Sequence, residues 1–164
     1  MIDRRIVDCM QAASVGIALS LPCNMLSGVL DEIDRRTIMR IAVCREEEGV
    51  GIAAGAALAG RRPILVMQNS GLGNCINALV SLTGMYQLPL FLLMSHRGGP
   101  GEQIAAQIPM GQAAAGLLET LGIEQIKVET PADFDSLSSL MRRTYEKSIV
   151  GAALLSRELW HAQK

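Results

Sequence analysis

Short apolar runs alternate with longer mixed stretches along the chain, and this alternation predicts strands separated by helices. The apolar runs, of which PILVMQ and LFLLM are the clearest, predict strands at residues 17–21, 37–43, 63–68, 90–94, 125–128 and 151–155. Between them, the spacing predicts helices at 3–15, 24–33, 46–59 and 111–121, one that follows a Gly-rich turn and ends near 82, and one that opens at Thr130. A Gly- and Pro-containing loop is expected from residue 96 to about 110.

Strands that alternate with helices at this spacing are typical of crossover connections between parallel strands. We therefore predict an α/β fold, with an open, mostly parallel sheet covered by helices on both faces. Neither an internal repeat nor a linker marks a second domain, so a single domain is expected over residues 1–164.

The amino-acid composition excludes several classes of protein but does not identify the function. Hydrophobic residues make up 49% of the chain and charged residues 19%, which excludes intrinsic disorder. The net charge of −1 and the aromatic content of 3% argue against nucleic-acid binding. The four cysteines form no CxxC pair, so neither a zinc site nor a disulfide framework is predicted and a cytoplasmic protein is expected.

Two long stretches carry no charge, Met10–Leu30 and Pro63–Ser95. Proline, glycine and asparagine interrupt both, so no transmembrane helix is predicted, and the charged N-terminus argues against a signal peptide. We expect buried strands and packed helices there. So much uncharged sequence in a small domain also suggests that another subunit covers part of it.

Open parallel sheets bind ligands beyond the carboxyl ends of their strands. Four segments follow predicted strands and hold most of the unusual chemistry: Pro22–Asn24, Cys44–Glu48, Asn69–Asn74 and Ser95–Gly101. Their convergence predicts a site at this edge of the sheet.

Each segment also has an ordinary structural interpretation. The acids of Arg45-Glu46-Glu47-Glu48 could simply favour a helix start, or one carboxylate could point into the cleft. Asn69–Asn74 fits neither a dinucleotide fingerprint nor a P-loop; it is either a plain turn or a place where backbone approaches a ligand. His96 and Arg97 could bind an anionic substrate or lie on a solvated loop, and His161 is expected at the surface.

Two motifs together are similar to a known family. Arg45–Gly55, with the sequence REEEGVGIAAG, and Gln68–Asn74, with the sequence QNSGLGN, resemble the pyrimidine-binding domain of thiamine-diphosphate-dependent decarboxylases. The second motif and the later Arg-Gly-x-Pro-Gly resemble the phosphonopyruvate and sulfopyruvate decarboxylase branch. The short chain and its REEEGVG segment resemble the archaeal sulfopyruvate decarboxylase alpha subunits.

The resemblance implies roles for individual residues. The family's catalytic glutamate lies nine residues before a glycine, and counting back from Gly55 gives Glu46, which would hydrogen-bond the cofactor's aminopyrimidine ring. The resemblance also implies substrate contacts, and it implies cofactor contacts from the turn after the third strand. The implied substrate-binding residues are Asn24 and Gln107, and the strand-end loop adds His96 and Arg97 as predicted substrate contacts. The implied cofactor-binding residues besides Glu46 are Asn69, Ser70, Gly71, Leu72 and Asn74.

The family binds diphosphate and Mg²⁺ through a Gly-Asp-Gly…Asn motif, and no Gly-Asp-Gly occurs in this chain. The resemblance therefore implies no metal ligand here and a beta subunit that carries the diphosphate and Mg²⁺ site, in a hetero-oligomer with self-association. The implied reaction converts 3-sulfopyruvate to sulfoacetaldehyde and carbon dioxide in coenzyme M biosynthesis. A phosphonopyruvate decarboxylase subunit and a non-catalytic, flavodoxin-like binding or regulatory subunit are the alternatives.

Overall fold

The computed structural model describes residues 1–161, which form an α/β fold around a six-stranded sheet. The strands are β1 (Ile17–Ser20), β2 (Met39–Ala42), β3 (Pro63–Gln68), β4 (Leu90–His96), β5 (Glu124–Val128) and β6 (Val150–Ser156). The helices are α1 (Ile2–Ala12), α2 (Ser27–Asp34), α3 (Glu46–Leu58), α4 (Leu72–Ala78), α5 (Ile108–Thr120), α6 (Phe134–Glu146) and α7 (Glu158–His161). A π-helical segment, Leu79–Gly84, continues α4.

All strand pairs are parallel, and the strand order is β2-β1-β3-β4-β6-β5. The carboxyl ends of all six strands therefore meet at one edge of the sheet. The chain places β2 on one side of β1 and β3 on the other, so the crossover direction reverses between β1 and β3. Such a reversal opens a crevice at the carboxyl ends of the two strands, where open α/β sheets bind ligands.

The sheet is buried on both faces, which explains why its central strands are apolar at every position rather than alternating. One core packs α1, α2 and α6 against side chains such as Ile64, Val66 and Phe91. The other packs α3, α4 and α5 against Leu65, Met67 and neighbouring strand residues. Successive strand residues thus serve opposite cores, so the two faces fix the register of the sheet.

The element boundaries differ from the predicted ones where local backbone geometry decides them. The predicted helix 3–15 was wrong at its end, because Ser14 has a φ of 56° and the helix stops at Ala12. Helix α5 begins at Ile108 rather than 111, with Pro109 in its first turn, where a proline is tolerated. The short helix Glu158–His161 was not predicted. The predicted start at Thr130 is confirmed by a capping box with Asp133, ahead of α6.

The uncharged stretches are mostly core, so their lack of charge does not by itself indicate a partner. Leu65, Phe91 and Leu92 are fully buried in the single chain. A smaller set of exposed apolar side chains remains on α3 and around the π-helical segment: Leu58, Val80, Met85 and Tyr86. Among residues 1–161, no helix is long and apolar enough to cross a membrane.

Candidate active site

Three consecutive glutamates begin α3 directly after β2, and their carboxylates make three different contacts. Glu47 pairs with Arg45, with 2.9 Å between Oε1 and Nη2. Glu48 accepts a hydrogen bond of 3.0 Å from the backbone N–H of Cys44, as helix-capping side chains do. Glu46 instead turns toward the segment after β3, where its Oε2 accepts 3.0 Å from Asn74 Nδ2. Only Glu46 therefore faces the predicted cofactor-binding turn.

Gly71 lies directly beneath the Glu46 side chain. A Cβ built at Gly71 would stand 2.5 Å from both Cγ and Oε1 of Glu46, closer than carbon and oxygen can approach without contact strain. Its φ of −65° is available to any residue, so the need for glycine here is one of space rather than of backbone conformation. The missing side chain gives the Glu46 carboxylate its position.

Asn69 is buried and joins the end of β3 to the end of β4. Its Oδ1 accepts a 3.0 Å hydrogen bond from the backbone N–H of Arg97, and its Nδ2 donates 3.1 Å to the Arg97 carbonyl. Both polar atoms of the side chain are thus used within the protein. Leu72 is likewise buried in the core, so neither of these two predicted cofactor residues is exposed in the single chain.

Gln107 reaches the same turn through Gln68, which belongs to the QNSGLGN motif but was not among the predicted site residues. Gln68, the last residue of β3, donates from Nε2 to Gln107 Oε1 at 2.7 Å and to Ser70 Oγ at 2.5 Å. This chain ties the predicted substrate residue Gln107 to the predicted cofactor residue Ser70. Two sequence signals pointed to Gln68: its place at the end of an apolar strand and at the start of the QNSGLGN motif.

Arg97 carries an internal ion pair that the sequence did not indicate. Its Nε and Nη2 donate to the two oxygens of Glu102 at 2.7 and 2.8 Å, and the Glu102 side chain is only 7% exposed. Glu102 also accepts from the backbone N–H groups of Gly98 and Ile104. The hydrogen bonds from Arg97 and these amides hold the pKa of Glu102 well below its ordinary value. Two of the three guanidinium nitrogens of Arg97 are therefore already engaged.

The loop from Arg97 to Gln107 is anchored where two glycines meet. Gly98 has a φ of 83°, and a Cβ there would lie 2.2 Å from the Gln107 carbonyl oxygen. A Cβ at Gly111 would lie 2.3 Å from the Arg97 oxygen, so the loop and α5 touch backbone to backbone. His96 Nε2 donates to the Gly111 carbonyl at 3.0 Å, which fixes its tautomer and orients the ring toward α5.

Two of the four predicted substrate residues, Asn24 and Arg97, line one cleft of about 370 Å³. Met25, Glu102, Gln103, Ile104 and Arg157 complete its walls. His96 lines an adjoining cleft of about 210 Å³ instead, together with Arg97 and Arg157. Gln107 belongs to the hydrogen-bonded chain around Gln68 rather than to either cleft.

The cysteines near the site are free thiols. Cys75 is buried beneath the turn, and burial, with Glu46 nearby, raises the pKa of its thiol to about 12, so it is no nucleophile at neutral pH. Cys23 Sγ lies 3.2 Å from Ser95 Oγ at the ends of β1 and β4. Within residues 1–161, no cluster of three or more His, Cys, Asp or Glu side chains could hold a metal ion. His161 is exposed, as predicted.

Comparison with known proteins gives a consistent family. The sequence profile described as "Thiamine pyrophosphate enzyme, N-terminal TPP binding domain" matches residues 2–115. The chain is 41% identical to the sulfopyruvate decarboxylase subunit alpha of Methanothermobacter thermautotrophicus, over 92% of this chain and 93% of the relative. It is 46% identical to the subunit of the same name from Methanococcus maripaludis, over 84% and 81% of the two chains. It is also 33% identical to the sulfopyruvate decarboxylase of Methanosarcina acetivorans, over 99% of this chain but 42% of that longer relative.

Proposed function

Because this chain belongs to the thiamine pyrophosphate enzymes, and within them to the family of sulfopyruvate decarboxylase alpha subunits, we propose that it forms the aminopyrimidine-binding half of a sulfopyruvate decarboxylase. The reaction releases carbon dioxide from 3-sulfopyruvate and leaves sulfoacetaldehyde. The protein's contribution is to bind and orient cofactor and substrate and to position one carboxylate.

The observation that carries the proposal is the contact of Glu46 with the Gly71–Asn74 turn. Glu46 forms no ion pair with any cation among residues 1–161, in contrast to Glu47. Asn74 engages one oxygen, Oε2, and Oε1 lies over the glycine. A carboxylate oxygen held without a counter-ion at a strand-end crevice is suited to accept a hydrogen bond from a ring nitrogen of an aminopyrimidine. The residues present therefore fit this part of thiamine diphosphate.

When bound, thiamine diphosphate supplies a thiazolium ring that accepts the electron pair released with carbon dioxide. Glu46 would hold a proton at the pyrimidine ring, and Asn74 would keep the carboxylate aimed at it. Ser70 and Asn74, the predicted cofactor residues of this turn that are accessible, would lie beside the ring. The hydrogen bonds that join Gln68 to Ser70 and Gln107 would hold the neighbouring wall in place.

A beta subunit would bring the Mg²⁺ and diphosphate ligands, because this sequence contains no Gly-Asp-Gly segment. The names of the two alpha-subunit relatives imply a second subunit. The longer relative from Methanosarcina acetivorans supports the same division, because more than half of it lies outside the region similar to this chain. The complete site would then form only where the two parts meet.

Copurification with the partner, followed by an assay of 3-sulfopyruvate, 3-phosphonopyruvate and pyruvate with thiamine diphosphate and Mg²⁺, tests the proposal. We expect carbon dioxide and sulfoacetaldehyde from 3-sulfopyruvate, with a kcat/KM higher than for the other two acids. A preference for 3-phosphonopyruvate would establish the alternative substrate. If the partner alone were as active as the complex, this chain would be a regulatory subunit.

A further inference from the structure

The cleft that holds Asn24 and Arg97 has a wall that the sequence did not predict. Arg157 directly follows β6 and lines this cleft together with the loop residues Gln103 and Ile104. The cleft volume of about 370 Å³ is at the lower end of the range for small-molecule sites. This volume is large enough to admit an organic acid of a few carbons.

Some of the basic side chains around this cleft are paired with a carboxylate, and one is not. Arg97 is paired with Glu102, which is the only carboxylate in the cleft's lining and is further occupied by two backbone N–H groups. In the adjoining cleft, Lys127 is paired with Glu129 at 2.6 Å. Arg157 lines both clefts, yet it makes no ion pair within residues 1–161. The guanidinium of Arg157 is thus the cation left free to receive an anion.

We propose that Arg157 binds the sulfonate of the substrate in the cleft it shares with Asn24 and Arg97, an inference that rests on the proposed function. Sulfopyruvate carries two anionic groups. Arg97 cannot bind either group through two parallel hydrogen bonds, because Glu102 occupies two of its three guanidinium nitrogens. Arg157 offers a complete planar fork of donors, which matches the oxygens of a sulfonate. Arg97, held by Glu102, then serves mainly to shape the cleft wall.

The test compares kinetic constants of the enzyme assembled with its partner. The variants are Arg157→Gln, which removes the charge, and Arg157→Lys, which keeps it without the fork. Arg142→Gln is the matched control, because Arg142 lies near the end of α6 that leads into the amino end of β6, away from the cleft. The measured quantities are KM for 3-sulfopyruvate, and the inhibition constants of 3-sulfopropanoate, a dianion without the keto group, and of propanoate. The concentration of thiamine diphosphate that gives half-maximal activity is measured alongside.

We expect Arg157→Gln to raise KM and the inhibition constant of 3-sulfopropanoate about tenfold or more, with propanoate inhibition and the cofactor requirement within twofold of wild type. Arg157→Lys should recover part of the loss, and Arg142→Gln should match wild type. An unchanged KM in Arg157→Gln, an equal loss for propanoate, or a parallel rise in the cofactor requirement would each overturn the assignment of Arg157 to the sulfonate. A wild-type complex that does not decarboxylate 3-sulfopyruvate would instead overturn the proposed function, and the role of Arg157 with it.

Discussion

At the scale of single residues, three neighbouring glutamates show how contacts separate residues of identical chemistry. Glu47 and Glu48 make local contacts, with Arg45 and with the backbone of Cys44. Glu46 alone contacts a distant segment, 28 positions along the chain at Asn74. The contact agrees with the residue that the nine-residue count selects, and it provides a direct test of the catalytic role.

Replacing Glu46 by Gln in the assembled enzyme should lower kcat by roughly a hundredfold or more, in line with typical general acid–base contributions. The amide keeps the size and the contact with Asn74 but cannot hold a proton for the pyrimidine ring. Exchange of the cofactor's thiazolium proton for deuterium, followed by NMR, isolates this step. Glu47→Gln and Glu48→Gln are the controls and should exchange at the wild-type rate. Slower exchange in Glu47→Gln than in Glu46→Gln would show that the assigned glutamate is off by one residue.

Gly71→Ala should reduce activity without changing any charge. The new methyl group would occupy the space of the Glu46 Cγ and Oε1, so the carboxylate must move away from the ring it serves. A displacement of this size can lower kcat roughly ten- to a hundredfold. Gly73→Ala is the matched control, because its Cβ would meet only Met110 Cε at 3.8 Å, an ordinary contact. Equal activities of the two variants would argue against positioning by Gly71.

The Arg97–Glu102 pair predicts a pH dependence of stability. Because the native pKa of Glu102 lies below its ordinary value of 4.5, the native state binds fewer protons than the unfolded state at this residue. The contribution of the pair to the free energy of unfolding is therefore complete above about pH 4.5 and declines as the pH falls through the native pKa.

Urea unfolding of wild type and Glu102→Gln at pH 7 and at pH 3.5 measures this contribution. The difference in the free energy of unfolding should be larger at pH 7. Glu119→Gln, on α5 and without an ion pair within residues 1–161, controls for the loss of one negative charge. A difference independent of pH would mean that Glu102 acts through packing rather than through its charge.

At the scale of elements, the segment between β4 and α5 is held at both of its ends. At its start, Gly98 packs against Gly111 of α5, because neither residue has a side chain. Within the segment, the Glu102 carboxylate accepts hydrogen bonds from Arg97 and from two backbone N–H groups. Gln107 closes the segment onto Gln68. The loop is thus a preformed wall of the cleft.

Gly111→Ala should destabilise the protein by about 1–3 kcal/mol, a typical cost of overpacking, because its methyl group would collide with the backbone of Arg97 and Gly98. Gly116→Ala, in the same helix and with nothing within 4 Å of its Cβ, should stabilise it by about 0.5–1 kcal/mol through helix propensity. Denaturant unfolding of both variants measures these opposite changes. Similar effects in the two would contradict the close approach of the loop to α5.

In the whole molecule, the sheet order brings the segments after β1, β3 and β4 to one edge. Glu46, in the segment that follows β2, lies at the same edge and contacts Asn74. This edge holds one side of the proposed site, while Leu58, Met85 and Tyr86 leave apolar surface exposed elsewhere on the domain.

The isolated chain should bind thiamine diphosphate weakly even with Mg²⁺, because it carries no Gly-Asp-Gly segment for the diphosphate. Calorimetric titration of the chain alone and of the copurified complex compares the two. We expect a dissociation constant in the complex at least a hundredfold lower. Micromolar binding by the chain alone would reveal a diphosphate site that its sequence does not disclose.

Much of the fold was predictable because strands buried on both faces are continuously apolar, as PILVMQ and LFLLM are, and because their alternation with helices requires parallel pairing. The ends of the elements were less predictable. The positive φ of Ser14 and the early start of α5 depend on backbone geometry that the hydrophobic pattern does not record.

The hydrophobic pattern predicted the α/β class and the strands whose ends line the proposed site, and the resemblance to a known family indicated Glu46 as the glutamate to test. The contacts that each of these side chains makes are visible only in the folded chain. The Asn69 side-chain amide bonds the backbone of Arg97, and two guanidinium nitrogens of Arg97 bond Glu102. Arg157 lines the same cleft as Asn24 and forms no ion pair within residues 1–161. The reason is physical: hydrophobic periodicity is a local property of the chain, whereas a hydrogen bond or an uncompensated charge depends on partners that folding brings from distant positions.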